Sequence, residues 1–136
     1  LMGGDGIFDP AYIELAGKTS NGDLATSVGA PTESLDTAKQ FVADYQAAGY
    51  KEPYAAYGAY SYDAANAIIN ALKTSLASAS DAKSARQATI DAMSKVSFDG
   101  ATGKVAFDQY GDTTTKVLTV YKVDGGKWVA EKTGSG

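Results

Sequence analysis

The carboxylate of Asp5 is the best placed of the groups in this 136-residue chain that could do chemistry. It stands in Gly3-Gly4-Asp5-Gly6, after Leu1-Met2 and before Ile7-Phe8-Asp9-Pro10. Glycine accepts backbone angles that side chains forbid, and it lets other atoms come close to the main chain. An acid on so bare a backbone, at the C-terminal end of an apolar strand, stands where open α/β folds bind ligands. The same residues also read as an ordinary strand-to-helix turn with a solvated aspartate, since Gly and Asp are common in turns.

Other chemistries are thinly supported. The chain has no Cys and no His. That removes thiol nucleophiles, imidazole bases, His-containing triads and nearly all zinc sites. It also excludes disulfides without fixing a compartment. Asp5 and Asp9 are close enough in sequence for an acid/base pair, but Asp9 before Pro10 is better explained as a helix cap. Asp108-Gln109-Tyr110-Gly111-Asp112 lacks the alternating ligands and closing Glu of a calcium loop. Gly3-Gly4-Asp5-Gly6 lacks the Lys-Ser/Thr ending of a phosphate loop, and no Ser sits in a Gly-x-Ser-x-Gly elbow. The expectation is a noncatalytic module without metal or cofactor.

Composition narrows the partners. The net charge is −4 and the basic residues are scattered, so nucleic-acid binding is not expected. Nine tyrosines are present, five of them between Tyr45 and Tyr60. Tyrosine combines an apolar face with a polar tip, which suits cleft walls as well as cores. The length suits one domain, no apolar run is long enough to span a bilayer, and no N-terminal targeting pattern is visible. A start at Leu1, inside an apolar strand, suggests a fragment or processed product.

The elements that must position these residues follow from pattern. Asp9 caps a two-turn helix with Tyr12, Leu15 and Ala16 inward, Ile13 beside them and Gly17 at its end. Leu24–Val28 reads as a strand closed by Gly29-Ala30-Pro31. Thr32 or Ser34 can cap the next helix, whose Ala38, Phe41, Val42 and Tyr45 share one face. After Pro53 a second helix carries Tyr62, Ala65, Ile68, Ile69, Leu72 and Leu76 as its stripe. Ser78-Ala79-Ser80 is a linker, and Ser80 can cap a third helix with Ala82, Ala85, Thr89, Met93 and Val96 inward and Asp81 and Arg86 solvated. Beyond Phe98 the period changes: a turn at Asp99–Gly103, a strand at Lys104–Phe107, then a strand with Val117, Thr119, Tyr121 and Val123 on one side. Asp124-Gly125-Gly126 turns into a strand holding Trp128 and Val129, and Thr133–Gly136 reads as a loose tail. The order is that of an α/β chain with too few strands for a doubly wound sheet.

Several of these segments, in this order, resemble the periplasmic leucine/isoleucine/valine-binding protein family, the type I solute-binding proteins of ABC transporters. They are Leu1–Pro10 with Leu15-Ala16-Gly17, Phe41–Tyr45, Tyr62–Ala67, Phe98–Asp108 with Gly111-Asp112, and Val120–Val129. The resemblance implies two α/β lobes around a cleft that binds branched-chain or related amino acids. Closure would deliver the solute to a membrane permease. It further implies a partial fold here: pieces of both lobes, with helices packed on a short sheet and antiparallel C-terminal strands. Residues of about 1–28 and 116–136 resemble the second lobe, and about 31–110 the first. Asp5 matches the acidic residue that takes the solute's ammonium group, with Gly6 beside it. The aromatic contact falls on Tyr57 or, because the loop after Pro53 varies in length, on Tyr60. The parent would be extracytoplasmic, either periplasmic or lipid-anchored. A ligand-sensing regulatory domain of the same fold is the alternative. The matching half alone would bind weakly, and its exposed edges favour self-association or exchange of elements.

Overall fold

The computed structural model describes residues 1–77 and 79–135, so Ser78 of the expected linker and Gly136 of the expected tail lie outside the described residues. The chain separates into two compact units, Leu1–Pro31 together with Lys116–Gly136, and Thr32–Thr115.

The first unit is a four-stranded sheet with one short helix. Its elements are β1 (Met2–Gly3), α1 (Pro10–Ala16), β2 (Leu24–Val28), β5 (Val117–Asp124) and β6 (Lys127–Ser135), and the strand order is β1-β2-β5-β6. β1 runs parallel to β2, whereas β2–β5 and β5–β6 are antiparallel. The alternation in β5 is borne out: Thr119, Tyr121 and Val123 are buried, and Leu118 points outward. β6 runs further than the sequence suggests. Thr133 and Gly134 pair with Thr119 and Leu118, and the Thr133 and Thr119 hydroxyls are 2.8 Å apart, so the expected tail is strand through Ser135. In α1, Asp9 caps as expected, its Oδ1 accepting the Ala11 N–H at 2.7 Å. Leu15 is 89% exposed rather than inward, because this helix turns only Tyr12, Ile13 and Ala16 toward the sheet side.

The second unit holds α2 (Lys39–Ala47), α3 (Gly58–Ser75), α4 (Ala82–Met93) and a hairpin of β3 (Ser97–Gly100) and β4 (Gly103–Ala106). Neither Thr32 nor Ser34 caps α2. Two 3₁₀ turns, Thr32–Ser34 and Asp36–Ala38, lead into it, and Ala38 holds the N-cap position without a side-chain bond. α4 is capped one residue later than expected. Asp81 accepts the Ser84 N–H at 2.7 Å, and Ser84 Oγ reaches back to the Asp81 N–H, a capping box that holds the Asp81 carboxyl below its ordinary pKa.

The larger departure concerns α3. Its buried residues are Ala59, Asp63, Ala67, Ala71 and Ser75, a small-residue stripe, while Tyr62, Ile68, Ile69 and Leu76 are about half exposed. Small residues let neighbours approach closely. Ala67 and Ala71 pack with Val96, Met93 and Phe98, and Ser75 Oγ lies 2.8 Å from Thr89 Oγ1 of α4. A second cluster joins Phe41, Ala59 and Ala101, flanked by Val42, Tyr45 and Tyr54.

Candidate functional site

The glycine-rich turn begins where β1 ends. Met2 and Gly3 pair with Leu24 and Ala25, and Asp5–Ile7 then form a single 3₁₀ turn closed by Phe8 N–H donating to the Asp5 carbonyl at 2.9 Å. Asp5 thus stands just past the C-terminal end of a parallel strand, with an exposed side chain. None of Gly3, Gly4 and Gly6 has a left-handed φ, so backbone freedom is not what the turn uses. Gly3 is required by proximity: a Cβ there would sit 2.6 Å from Ile7 Cδ1. Gly4 and Gly6 would point a Cβ into open space, which leaves the backbone on either side of Asp5 bare.

An aromatic bracket holds this turn from behind. Phe8 stacks on Tyr121 at 4.0 Å between ring centroids and meets the Trp128 edge at 5.7 Å. Trp128 Nε1 donates to the Asp9 carbonyl at 3.0 Å, tying β6 to the start of α1. Tyr12 packs against Trp128 and donates its hydroxyl to Asp23 at 2.5 Å; that bond, burial and the Asp23 charge push the Tyr12 pKa up. Asp9 is engaged as the cap of α1, as its place before Pro10 led one to expect.

Tyr57 and Tyr60 share the start of α3 in the second unit. Tyr57 occupies the N-cap position, 47% exposed, and its carbonyl accepts the Ser61 N–H at 2.8 Å. Tyr60 is half buried, and burial together with the Asp63 charge pushes its hydroxyl pKa up. Of the two aromatic candidates, Tyr57 presents the more open ring. Asp5 and Gly6 therefore adjoin in one unit, and Tyr57 and Tyr60 adjoin in the other.

Asp63, which stands in the Tyr62–Ala67 segment, takes a role that its sequence neighbours do not announce. It is 3% exposed, and it accepts the Ala101 N–H at 2.9 Å, the Thr102 N–H at 2.7 Å and the Thr102 hydroxyl at 2.6 Å. One carboxylate thereby satisfies the tip of the β3–β4 hairpin. Gly100 is forced by it, since a Cβ would lie 2.5 Å from Asp63 Oδ1. The signal in the sequence was an acid inside a run of alanines, 37 residues before Gly100-Ala101-Thr102-Gly103. Two open grooves flank Tyr62, a polar one of about 340 Å³ that includes Gln40, Asn66 and Asn70, and an apolar one of about 420 Å³ beside Tyr45 and Tyr50; Tyr57 and Tyr60 line neither. In the Asp108 loop, Oδ1 accepts the Tyr110 and Asp112 N–H groups, which makes it a backbone turn. Among the described residues no group of three His, Cys, Asp or Glu could hold a metal.

Residues 1–127 match the family model described as periplasmic binding protein. No curated protein matches. Among solved structures, the leucine binding protein LivK of Thermotoga maritima is 28% identical with a TM-score of 0.79, over 98% of this chain and 37% of that one. The branched-chain amino acid transporter substrate binding protein LivJ of Streptococcus pneumoniae, solved in complex with isoleucine, is 25% identical with a TM-score of 0.73, over 99% of this chain and 36% of that one. A solute binding protein of R. palustris in complex with benzoate, 20% identical over 90% of this chain and 32% of that one with a TM-score of 0.64, shares the fold. The chain thus spans about a third of the length of these relatives, and its fold is the corresponding part of a type I periplasmic-binding-protein fold. It belongs to the periplasmic binding protein family.

Proposed function

We propose that the chain is the C-terminal part of an extracytoplasmic solute-binding protein serving an ABC transporter for branched-chain or related amino acids. Asp5 takes the solute's ammonium group, the bare backbone at Gly6 lets it approach, and an aromatic ring at the start of α3, Tyr57 or else Tyr60, covers the apolar side chain. The observation that carries this reading is the exposed carboxylate of Asp5, set between two glycines whose Cβ positions are open, on a turn braced by Phe8 and Trp128. An ammonium leaving water needs a charged partner, and a carboxylate provides a charge-assisted hydrogen bond. Leucine and isoleucine are the solutes named for LivK and LivJ.

On this reading the unit of Leu1–Pro31 with Lys116–Gly136 belongs to the second lobe and Thr32–Thr115 to the first. The parent protein is periplasmic or lipid-anchored and hands its solute to the permease. The chain alone, lacking the rest of the cleft, binds weakly, and the half-exposed Tyr62 and Ile69 on α3, with Leu76 at its C-cap, drive it to self-associate. Calorimetric titration of the parent with leucine, isoleucine, valine and a few aromatic acids tests the anchor. Replacing Asp5 with Ala leaves the ammonium unpaired and lowers affinity at least ~30-fold, the factor carried by ~2 kcal/mol or more. Undiminished binding by Asp5→Ala would sink the anchor role.

A further inference from the structure

The connection from α2 to α3 carries the one non-glycine residue with a left-handed backbone among the described residues, Ala55 at φ +49°. An alanine is held there only where its surroundings over-determine it, and such residues cluster at ligand clamps. Tyr54, next to it, supplies the surroundings. Its ring meets Phe41 edge-on at 5.6 Å and Tyr45 at 5.5 Å, and its Cβ comes so close to the first residue of α3 that a Cβ on Gly58 would lie 2.6 Å away. Its hydroxyl donates to Glu33 Oε1 at 2.5 Å, on a 3₁₀ turn 21 residues earlier. Tyr45 in turn donates to the Glu52 carbonyl at 3.0 Å.

Packing alone does not need that hydroxyl. A phenylalanine would keep both ring contacts and the approach to Gly58. The hydroxyl adds a directional tie to a remote turn, in a partly exposed place where such a tie contributes little to global stability. What it can do is fix the segment between Tyr54 and α3, and Tyr57 sits in that segment.

We propose that Tyr54 and Glu33 are positioning residues for Tyr57: their hydrogen bond locks the turn at Ala55 and sets where the Tyr57 ring is presented to the solute's apolar side chain. The ligand half of this statement rests on the assignment of Tyr57 above. The lock itself does not, so the two are read separately.

Amide hydrogen exchange at Ser61, whose N–H donates to the Tyr57 carbonyl at 2.8 Å, reads the lock. Tyr54→Phe and Glu33→Ala each speed exchange there about fivefold, the factor of one modest hydrogen bond. The double variant adds nothing further, and Glu33→Gln, which keeps an acceptor oxygen, restores slow exchange. Exchange unchanged by Tyr54→Phe, or effects that add in the double variant, would overturn the proposal. In the parent, Tyr54→Phe weakens leucine binding by a similar factor and Glu33→Gln rescues it. Faster exchange with unaltered affinity would reduce the pair to a structural contact and overturn the positioning role. A wild-type parent that binds none of the amino acids tried would sink the functional reading and the ligand half with it, while the exchange data still decide the lock.

Discussion

Replacing Asp63 with Asn changes one oxygen into an amide group and nearly no volume. In the native arrangement Oδ1 accepts from Ala101 N–H, and Oδ2 accepts from both the N–H and the hydroxyl of Thr102. The best rotamer of Asn places its one oxygen at the Oδ2 position and keeps the Thr102 bonds. Its NH₂ then faces the Ala101 N–H, donor against donor, at a site that is 3% exposed. The loss is one hydrogen bond to a charged acceptor, ~1.5–3 kcal/mol, with a buried donor left unmet on top. We expect about 3 kcal/mol of destabilisation for Asp63→Asn and about 4 for Asp63→Ala, which strands both N–H groups. Urea unfolding followed by circular dichroism measures the total, and exchange at Ala101 and Thr102 localises it. Gly100→Ala puts a methyl 2.5–2.6 Å from the carboxylate in wild type and costs about 2 kcal/mol, but little once Asp63 is Ala. An Asp63→Asn protein within ~0.5 kcal/mol of wild type would refute the reasoning, because a satisfied buried carboxylate could not then be what closes the hairpin.

Three further outcomes are expected. Gly4→Ala and Gly6→Ala leave stability within ~1 kcal/mol, since neither glycine has a left-handed φ or a neighbour within 4 Å, yet they weaken solute binding by the parent; calorimetry beside urea unfolding separates the two. Burial, the hydrogen bond to Glu33 and its charge push the Tyr54 pKa up to about 12, so its contribution to stability is intact below its ordinary value of 10.0 and is lost as pH rises toward 12; the difference in ultraviolet titration between wild type and Tyr54→Phe should show one tyrosine ionising near 12. Ile69→Lys on the half-exposed face of α3 reduces self-association without unfolding the chain, and light scattering across a concentration series reports it; a wild type that stays monomeric at high concentration contradicts the expectation.

Local rules made part of this fold readable. Asp9-Pro10 fixed the start of α1, Leu24–Val28 gave β2 to the residue, and alternation assigned the inner side of β5. The anchor candidate was legible too, because Gly-Gly-Asp-Gly after an apolar start has few meanings. The buried face of α3 departs from its apolar stripe for a physical reason. Periodicity favours the bulkiest apolar residues, but close approach to α4 and the hairpin needs Ala67, Ala71 and Ser75, and a satisfied carboxylate can be buried beside them. What satisfies Asp63 lies 38 and 39 residues further on, and what brackets Asp9 is Trp128, 119 residues away. Such partners leave no periodic trace. The cap of α4 was a nearer miss: Ser80 and Asp81 are both good caps, and the capping box with Ser84 decides for Asp81.

The first unit is discontinuous in the chain, and this has a kinetic consequence. Thr119 Oγ1 donates to the Gly29 carbonyl at 2.6 Å across 90 residues, and β2 meets β5 along the same long excursion. Closing a flexible loop of that length costs about 4 kcal/mol of chain entropy before any strand pairing offsets it. The second unit, Thr32–Thr115, is continuous and is built of helices and a hairpin, contacts that form between nearer residues. Once folded, it turns the excursion from slack chain into a fixed insert, which favours a folding order in which it forms before the central pairing of the sheet. Loosening the hairpin at Asp63 is therefore expected to slow the docking of β5 on β2, in a unit that does not contain Asp63, and refolding rates of Asp63→Asn against wild type measure it.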